Sequence, residues 1–340
     1  MARKTMLVLG LVALAAALSP SAHAASTIET IQARGALRCG SNPVVGLAMP
    51  DATGRWKGFN VDLCRALAAA VLGDAERIDV RQVESKTRFQ ALSDDAIDVL
   101  IDGATMTLGR ESSLGVAFPA VWLYDGQGFL AHRALGLKSI ADAKGATICV
   151  ADGTTSRTNV EEYVRLRKID ARVVVNQSDE GTWNAFLKGR CNVITNDRFG
   201  LLVRSTLHSS DRGNYVMLPE TISKEPLSPA VRDGDERWFK LVRWVVQVLV
   251  AAEEKGLTAA RIGSMPAGTD GETALLAGLG PDHAGYFGIP PGWARRAIES
   301  VGNYGEIFER HLGTQSPLRA ERDQNDLWTR GGLMYAPPIR

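Results

Sequence analysis

The sequence lacks the short motifs on which the commonest catalytic sites rest. No Gly-x-Ser-x-Gly, His-Glu-x-x-His or Cys-x-x-Cys occurs, and the five histidines are scattered along the chain. A nucleophile elbow, a zincin helix and a dithiol redox pair are therefore excluded. Beyond the first residues there is no long apolar run either. The best stretch, Trp238 to Ala252, is broken by Lys240, Arg243 and Gln247 and reads as an amphipathic helix, not a membrane span. Neither sign of charge is in excess: 39 basic residues face 38 acidic ones, with no long block of either. That balance gives no reason to expect nucleic acid or an acidic membrane as a partner. Cysteine is scarce, with four in 340 residues.

What is present begins with a targeting segment. Arg3 and Lys4 form a positive n-region, Met6 to Leu18 is an unbroken run of apolar and small residues, and Ala22-His23-Ala24 fits the small-x-small cleavage pattern. The run, about 13 residues, is too short to span the ~30 Å hydrocarbon core as a helix. Residues 1–24 therefore read as a signal peptide cut after Ala24. The remaining 316 residues carry 37 basic and 38 acidic side chains and suffice for two units of about 150 residues each. The expectation is a soluble, exported, periplasmic monomer. An even number of cysteines in an exported chain favours disulfides. Cys39, Cys64, Cys149 and Cys191 fall as an early and a later pair, which suggests one bridge per unit, Cys39–Cys64 and Cys149–Cys191. A zinc site is the competing reading, and no CxxC or HxxxH spacing supports it; no metal and no cofactor is expected.

Past residue 35, short apolar strands alternate with helical segments. Ala36 to Cys39, Ile78 to Val83 and Ile97 to Ile101 read as strands. Between them, Asn60 to Leu72 reads as a helix, with Val61, Cys64, Leu67 and Val71 on one side and Gly73 placed to stop it; Thr87 to Leu92 reads as a short helix. The β-α-β-α-β order implies parallel pairing and an α/β unit. A second unit repeats the theme: strands at Ala146–Val150, Arg172–Val175, Asn192–Thr195 and Val216–Leu218, and helices at Asn159–Leu166, Trp183–Lys188 and Phe199–Leu207. Two crossings, near Gln127–Ala131 and Ile222–Leu227, make the second lobe an insertion in the first. The expected division is residues 25–128 plus 224–263 for lobe 1 and 129–223 for lobe 2. Residues 264–340, rich in Gly and Pro yet too apolar for a disordered tail, read as a helical and irregular extension packed on lobe 1. A ligand is expected between the lobes, where strand ends and helix N-termini meet.

Several stretches then become recognisable. They are Gly58 to Ala66 (GFNVDLCRA), Leu123 to Phe129 (LYDGQGF), Gly189-Arg190-Cys191, Ile222 to Leu227 (ISKEPL), Pro229 to Arg232 (PAVR), Val301 to Arg310 (VGNYGEIFER) and the terminal YAPPIR. On these the chain resembles the substrate-binding proteins of ABC transporters for amino acids, in the branch serving general L-amino-acid transporters. The resemblance implies the two-lobed type II periplasmic binding protein fold, a free amino acid as ligand and a membrane permease as partner. An enzyme of dehydratase type on the same fold and a ligand-binding sensory receptor are the alternatives.

A zwitterion needs a bidentate Arg and backbone N–H groups for its carboxylate, and a carboxylate with neutral acceptors for its ammonium. By the resemblance, Arg110 pairs with the α-carboxylate, Thr105 offers a hydroxyl and an N–H, and the Gly103 carbonyl accepts from the ammonium. Thr154 and Thr155, after Gly153 at the start of a helix, offer N–H groups to the same carboxylate. Asp197 receives the ammonium. Read without the resemblance, Arg110 is equally a solvated helix-start arginine, Thr154 an ordinary N-cap and Asp197 a turn residue. The loop Ser41 to Ala48 lacks the aromatic that many relatives stack on the ligand, Asn60 replaces the usual Asp, and Asp102-Gly103 replaces another polar pair. Altered specificity is the expected consequence, with Val45, Leu47, Ser85, Trp122 and Tyr124 as side-chain pocket residues. Asp102 and Asp125 are the spare carboxylates an enzyme would need.

Overall fold

The computed structural model describes residues 26–207, 212–266 and 270–339. The expected signal peptide and Arg340 lie outside them.

The chain enters lobe 1 through α1 (Thr27–Arg34), which the sequence reading had not anticipated. Ser26 and Glu29 form a capping box at its start and Gly35 ends it in the left-handed region. Strand β1 (Leu37–Ser41) is followed by the two-residue strands β2 (Met49–Pro50) and β3 (Trp56–Lys57), which pair with each other, and by α2 (Phe59–Leu72). Gly73, at φ 75°, stops α2 where the sequence placed a stop. Next come β4 (Ile78–Gln82), α3 (Arg88–Ser93) and β5 (Val99–Leu100). The pairings of β1 with β4 and with β5 give an all-parallel three-stranded sheet in the order β4-β1-β5. Of the expected strand 97–101, Val99–Leu100 forms the ladder with β1, flanked by Asp98 N to Arg38 O and Ile101 N to Gly40 O, and Leu100 also exchanges backbone hydrogen bonds with Ala230 on the returning chain.

After α4 (Leu108–Ser113) and β6 (Val116–Ala117), strand β7 (Leu123–Asp125) leads out of lobe 1. The chain crosses at Gly126, since Gln127–His132 is already strand β8 of the second sheet. Lobe 2 continues with β9 (Ala146–Ala151), α5 (Thr155–Arg167), β10 (Ala171–Asn176), α6 (Asp179–Leu187), β11 (Val193–Asp197), α7 (Arg198–Leu207) and β12 (Tyr215–Met217), in the sheet order β10-β9-β11-β8-β12. Strand β9 is parallel to β10 and β11, and β8 runs antiparallel to β11 and β12. Helix α5 starts four residues before the expected Asn159 because the Thr154 hydroxyl accepts from Arg157 N and caps it. Ser178 caps α6 in the same way. The sheet is covered on both faces: Phe129, Ile148 and Val150 pack with Val160, while Leu130, Cys149 and Ile194 pack with Trp183 and Phe186.

The chain returns through β13 (Glu225–Leu227), antiparallel to β7, and β14 (Val231–Arg232), antiparallel to β6. The crossing is tight. A Cβ on Gly126 would lie 2.3 Å from Thr221 Cγ2 and 3.0 Å from Ser223 O, so no larger residue fits. Helix α8 (Glu236–Glu254) follows, then α9 (Ala259–Ile262), α10 (Gly271–Leu276), α11 (Ala284–Phe287), α12 (Trp293–Val301) and α13 (Tyr304–His311). The last helices share one apolar core with α2 and α8, built around Phe59, Leu63, Leu67, Leu249, Ile298 and Phe308. Both expected bridges are present: Cys39–Cys64 ties β1 to α2, and Cys149–Cys191 ties β9 to the start of β11 within lobe 2.

Candidate functional site

The lobes meet face to face over a cavity of about 70 Å³. Direct contacts close it. Ser85 N and Oγ donate to Asp179 at 3.2 and 3.0 Å, and Lys86 reaches Asp152 at 3.2 Å and Gln177 at 2.7 Å. Gly153, at φ +74°, packs so closely that a Cβ there would sit 2.7 Å from Lys86 Cα.

Of the residues singled out in the sequence, Gly103, Thr105, Thr154, Thr155, Asp197, Leu47 and Ser85 line this cavity. Thr105 belongs to a short segment held by β13: Met106 N donates to Pro226 O and Ser228 N to Ala104 O. Thr154 and Thr155 open α5, whose first N–H groups have no intrahelical acceptors. Asp197 is the last residue of β11, opposite Gln127 of β8.

Arg110 is buried beside the cavity. Its Nη1 donates to Thr105 O at 2.7 Å and its guanidinium sits 5.1 Å from the Phe89 ring centroid. The remaining guanidinium donors have no partner among the described residues and are not sealed from solvent. Burial, and then the charge of Arg88, pull its pKa down to about 10, which leaves it cationic at neutral pH. Val45 and Tyr124 pack against the lobe 1 core, and Trp122 lies inside it, stacked on Phe59 at 4.6 Å. The wall at that point is Leu123.

Sequence reasoning passed over several lining residues. Arg88 pairs with Asp102 at 3.0 Å, both side chains almost fully buried. Phe199, from lobe 2, supplies an aromatic that the first-strand loop lacks. Glu225, at the return crossing, is fully buried and accepts from four donors, Thr105 Oγ1, Thr155 Oγ1, Asn159 Nδ2 and Ser223 Oγ. Its stretch, ISKEPL, was informative only for the resemblance.

The electrostatics are lopsided. The Asp197 carboxylate accepts no hydrogen bond from any described residue. Burial first, then Asp125 and Glu225, push its pKa well above the usual carboxylate range, while Arg88 and Arg110 pull it back. Asp125 accepts from Gly126 N at 2.7 Å and Phe199 N at 2.9 Å, yet burial lifts it to about 7. Arg88 is committed to Asp102, so the free cation of Arg110 faces more than one carboxylate. An ammonium entering the cleft would relieve that imbalance.

A family profile for bacterial extracellular solute-binding proteins, family 3, matches residues 37–261. The general L-amino acid-binding periplasmic protein AapJ of Rhizobium johnstonii is 41% identical, over 95% of this chain and 96% of its own. The glutamate/glutamine/aspartate/asparagine-binding protein BztA of Rhodobacter capsulatus is 43% identical, over 97% and 98%. Among solved structures, an ABC transporter periplasmic binding protein from Brucella ovis with glutathione bound matches with a TM-score of 0.89 and 39% identity, covering 93% of this chain and 100% of that one. The relatives are named for binding, not for catalysis. No helix among the described residues is long and apolar enough to cross a membrane. A two-lobed fold closed over a polar cleft, with this family's pattern across two thirds of its length, makes the chain a member of the bacterial extracellular solute-binding proteins, family 3.

Proposed function

We propose that the protein binds the zwitterionic end of a free L-amino acid between its lobes and presents it, by its closed shape, to the permease of an ABC transporter, without catalysis. One observation carries this reading: Asp197 of lobe 2 lines the cleft, Arg110 of lobe 1 lies beside it close enough for the two to interact electrostatically, and each has unused hydrogen-bonding capacity. In this reading the ligand carboxylate takes the free donors of Arg110 and the first N–H groups of α5. The ligand ammonium takes Asp197. Desolvating either charge unpaired costs several kcal/mol, so neither lobe alone binds the ligand well. The names of AapJ and BztA support an amino acid as ligand. The glutathione of the Brucella ovis structure carries the same α-ammonium and α-carboxylate on its glutamyl end and belongs in the same test. A thermal-shift screen against the twenty amino acids and glutathione decides. A ligand present at 100 times its Kd adds ~2.7 kcal/mol of stability; a flat response across the whole panel contradicts the proposal.

A further inference from the structure

We propose that Glu225 fixes the hydrogen-bond polarity of Thr105 and Thr155, so that both hydroxyls face the cleft as acceptors and select an ammonium group on the ligand. The inference rests on the functional reading above and gives Glu225 the part of a positioning residue. The residue is 1% exposed, at the start of β13 where the chain returns to lobe 1. Oε2 lies 2.5 Å from Thr105 Oγ1 and 3.1 Å from Thr155 Oγ1. Oε1 is occupied by Ser223 Oγ at 2.5 Å and Asn159 Nδ2 at 3.0 Å.

A threonine hydroxyl has one proton, and an ionised carboxylate can only accept. The two hydroxyls also approach each other at 3.3 Å, but a neutral hydroxyl is the weaker acceptor. Hydrogen bonds to an ionised oxygen are roughly twice as strong as neutral ones, so both protons go to Glu225. Each threonine oxygen is left with lone pairs toward the cavity that both residues line. Lone pairs repel a ligand oxyanion and accept from N–H. Thr105 comes from lobe 1 and Thr155 from lobe 2, so the acceptor pair is complete only when the lobes are closed. The hydroxyl of Thr155 therefore serves the ammonium, while the carboxylate is left to Arg110 and the α5 backbone.

The test is discrimination between ligands that differ only at the α-position. Calorimetry compares L-glutamate with (S)-2-hydroxyglutarate, L-alanine with L-lactate and L-leucine with (S)-2-hydroxyisocaproate, on wild-type protein and on Glu225→Gln. Asn159 Nδ2 donates at the Oε1 position, so the glutamine keeps its oxygen there and places its amide nitrogen at the Oε2 position, where it donates to both threonines and turns their protons to the cleft. The preference for the amino acid should fall at least tenfold. The combined variant Thr105→Val and Thr155→Val separates polarity from the mere loss of a charge. In that background the preference is already reduced, and adding Glu225→Gln should change it less than threefold. An equal fall in both backgrounds, or a preference in Glu225→Gln within threefold of wild type, overturns the inference and leaves the functional reading standing. If Glu225→Gln does not fold, an unchanged preference in the valine variant overturns it alone. If wild-type protein binds no amino acid, the functional reading falls and takes this inference with it.

Discussion

Lobe 1 and lobe 2 differ in how deeply they are buried. In α2 of lobe 1 every residue from Phe59 to Val71 is buried, between the sheet and the helices of the C-terminal extension. In lobe 2, α5 buries only Ser156 and Val160, and β10 has no fully buried residue. The extension also grips the crossing. The Asn325 amide accepts from Tyr124 N at 2.7 Å and donates to Tyr124 O at 2.9 Å, and Tyr304 donates to Trp122 O at 3.0 Å. The heavier lobe thus holds one crossing strand as part of its own frame, and on the proposed function the lighter lobe is the part that swings. On the proposed function the charges are divided along the same line, Arg110 on the frame and Asp197 on the swinging part, which would make closure and ligand capture one event.

The comparison breaks most visibly at the charges. Arg110→Ala and Asp197→Ala should each cost ~2–5 kcal/mol of binding while the fold survives, read by calorimetry on the best ligand of the screen. Losses below tenfold at both positions would refute the division of charge. The bridges come next. Loop-closure entropy gives ~3.5 kcal/mol for Cys39–Cys64 and ~4 kcal/mol for Cys149–Cys191, from sequence separations of 25 and 42, so entropy hardly separates them. The thinner core of lobe 2 does. Replacing Cys149 and Cys191 by Ala should lower the melting temperature more than replacing Cys39 and Cys64, and the reverse order would mean that lobe 2 is not the weaker part. Gly153→Ala is subtler. Its Cβ would meet the Lys86 backbone in a left-handed conformation that costs roughly 1–2 kcal/mol, so affinity should fall about tenfold with every charged contact intact; unchanged affinity would show that the Gly153–Lys86 approach is not needed for binding. The smallest effect is on pH. Asp197 is raised in the empty cleft and Asp125 lies near 7. A ligand ammonium favours the ionised carboxylate, so binding expels a proton. Affinity should rise from pH 5 to pH 8 by less than tenfold per unit, and affinity that falls with pH would reverse the assigned sign.

Local signals were the legible ones. The spacing of Val61, Cys64, Leu67 and Val71 with Gly73 behind them marked α2, and the early and late cysteine pairs marked the bridges. The Thr154 cap lay in plain view, although the helix was expected to start four residues later. Helix α1 could have been found as well, because Ser26 and Glu29 stand at capping-box spacing. The hidden part of the cleft depends on contacts between distant segments. Glu225 meets Thr105 across 120 positions and Thr155 across 70, and no local pattern marks a glutamate at a crossing as the acceptor for both lobes. Phe199 follows the same rule, entering the wall from lobe 2, whereas the aromatic pocket residues expected from the sequence, Trp122 and Tyr124, both belong to lobe 1.

Whether ligand binding and lobe closure are the same event is tested most directly by small-angle scattering on the protein with and without the best ligand of the screen. The expected result is an empty protein that is measurably more extended and whose radius of gyration falls on saturation to that of the closed structure. An empty protein shown to be open whose radius of gyration stays unchanged on saturation would contradict it.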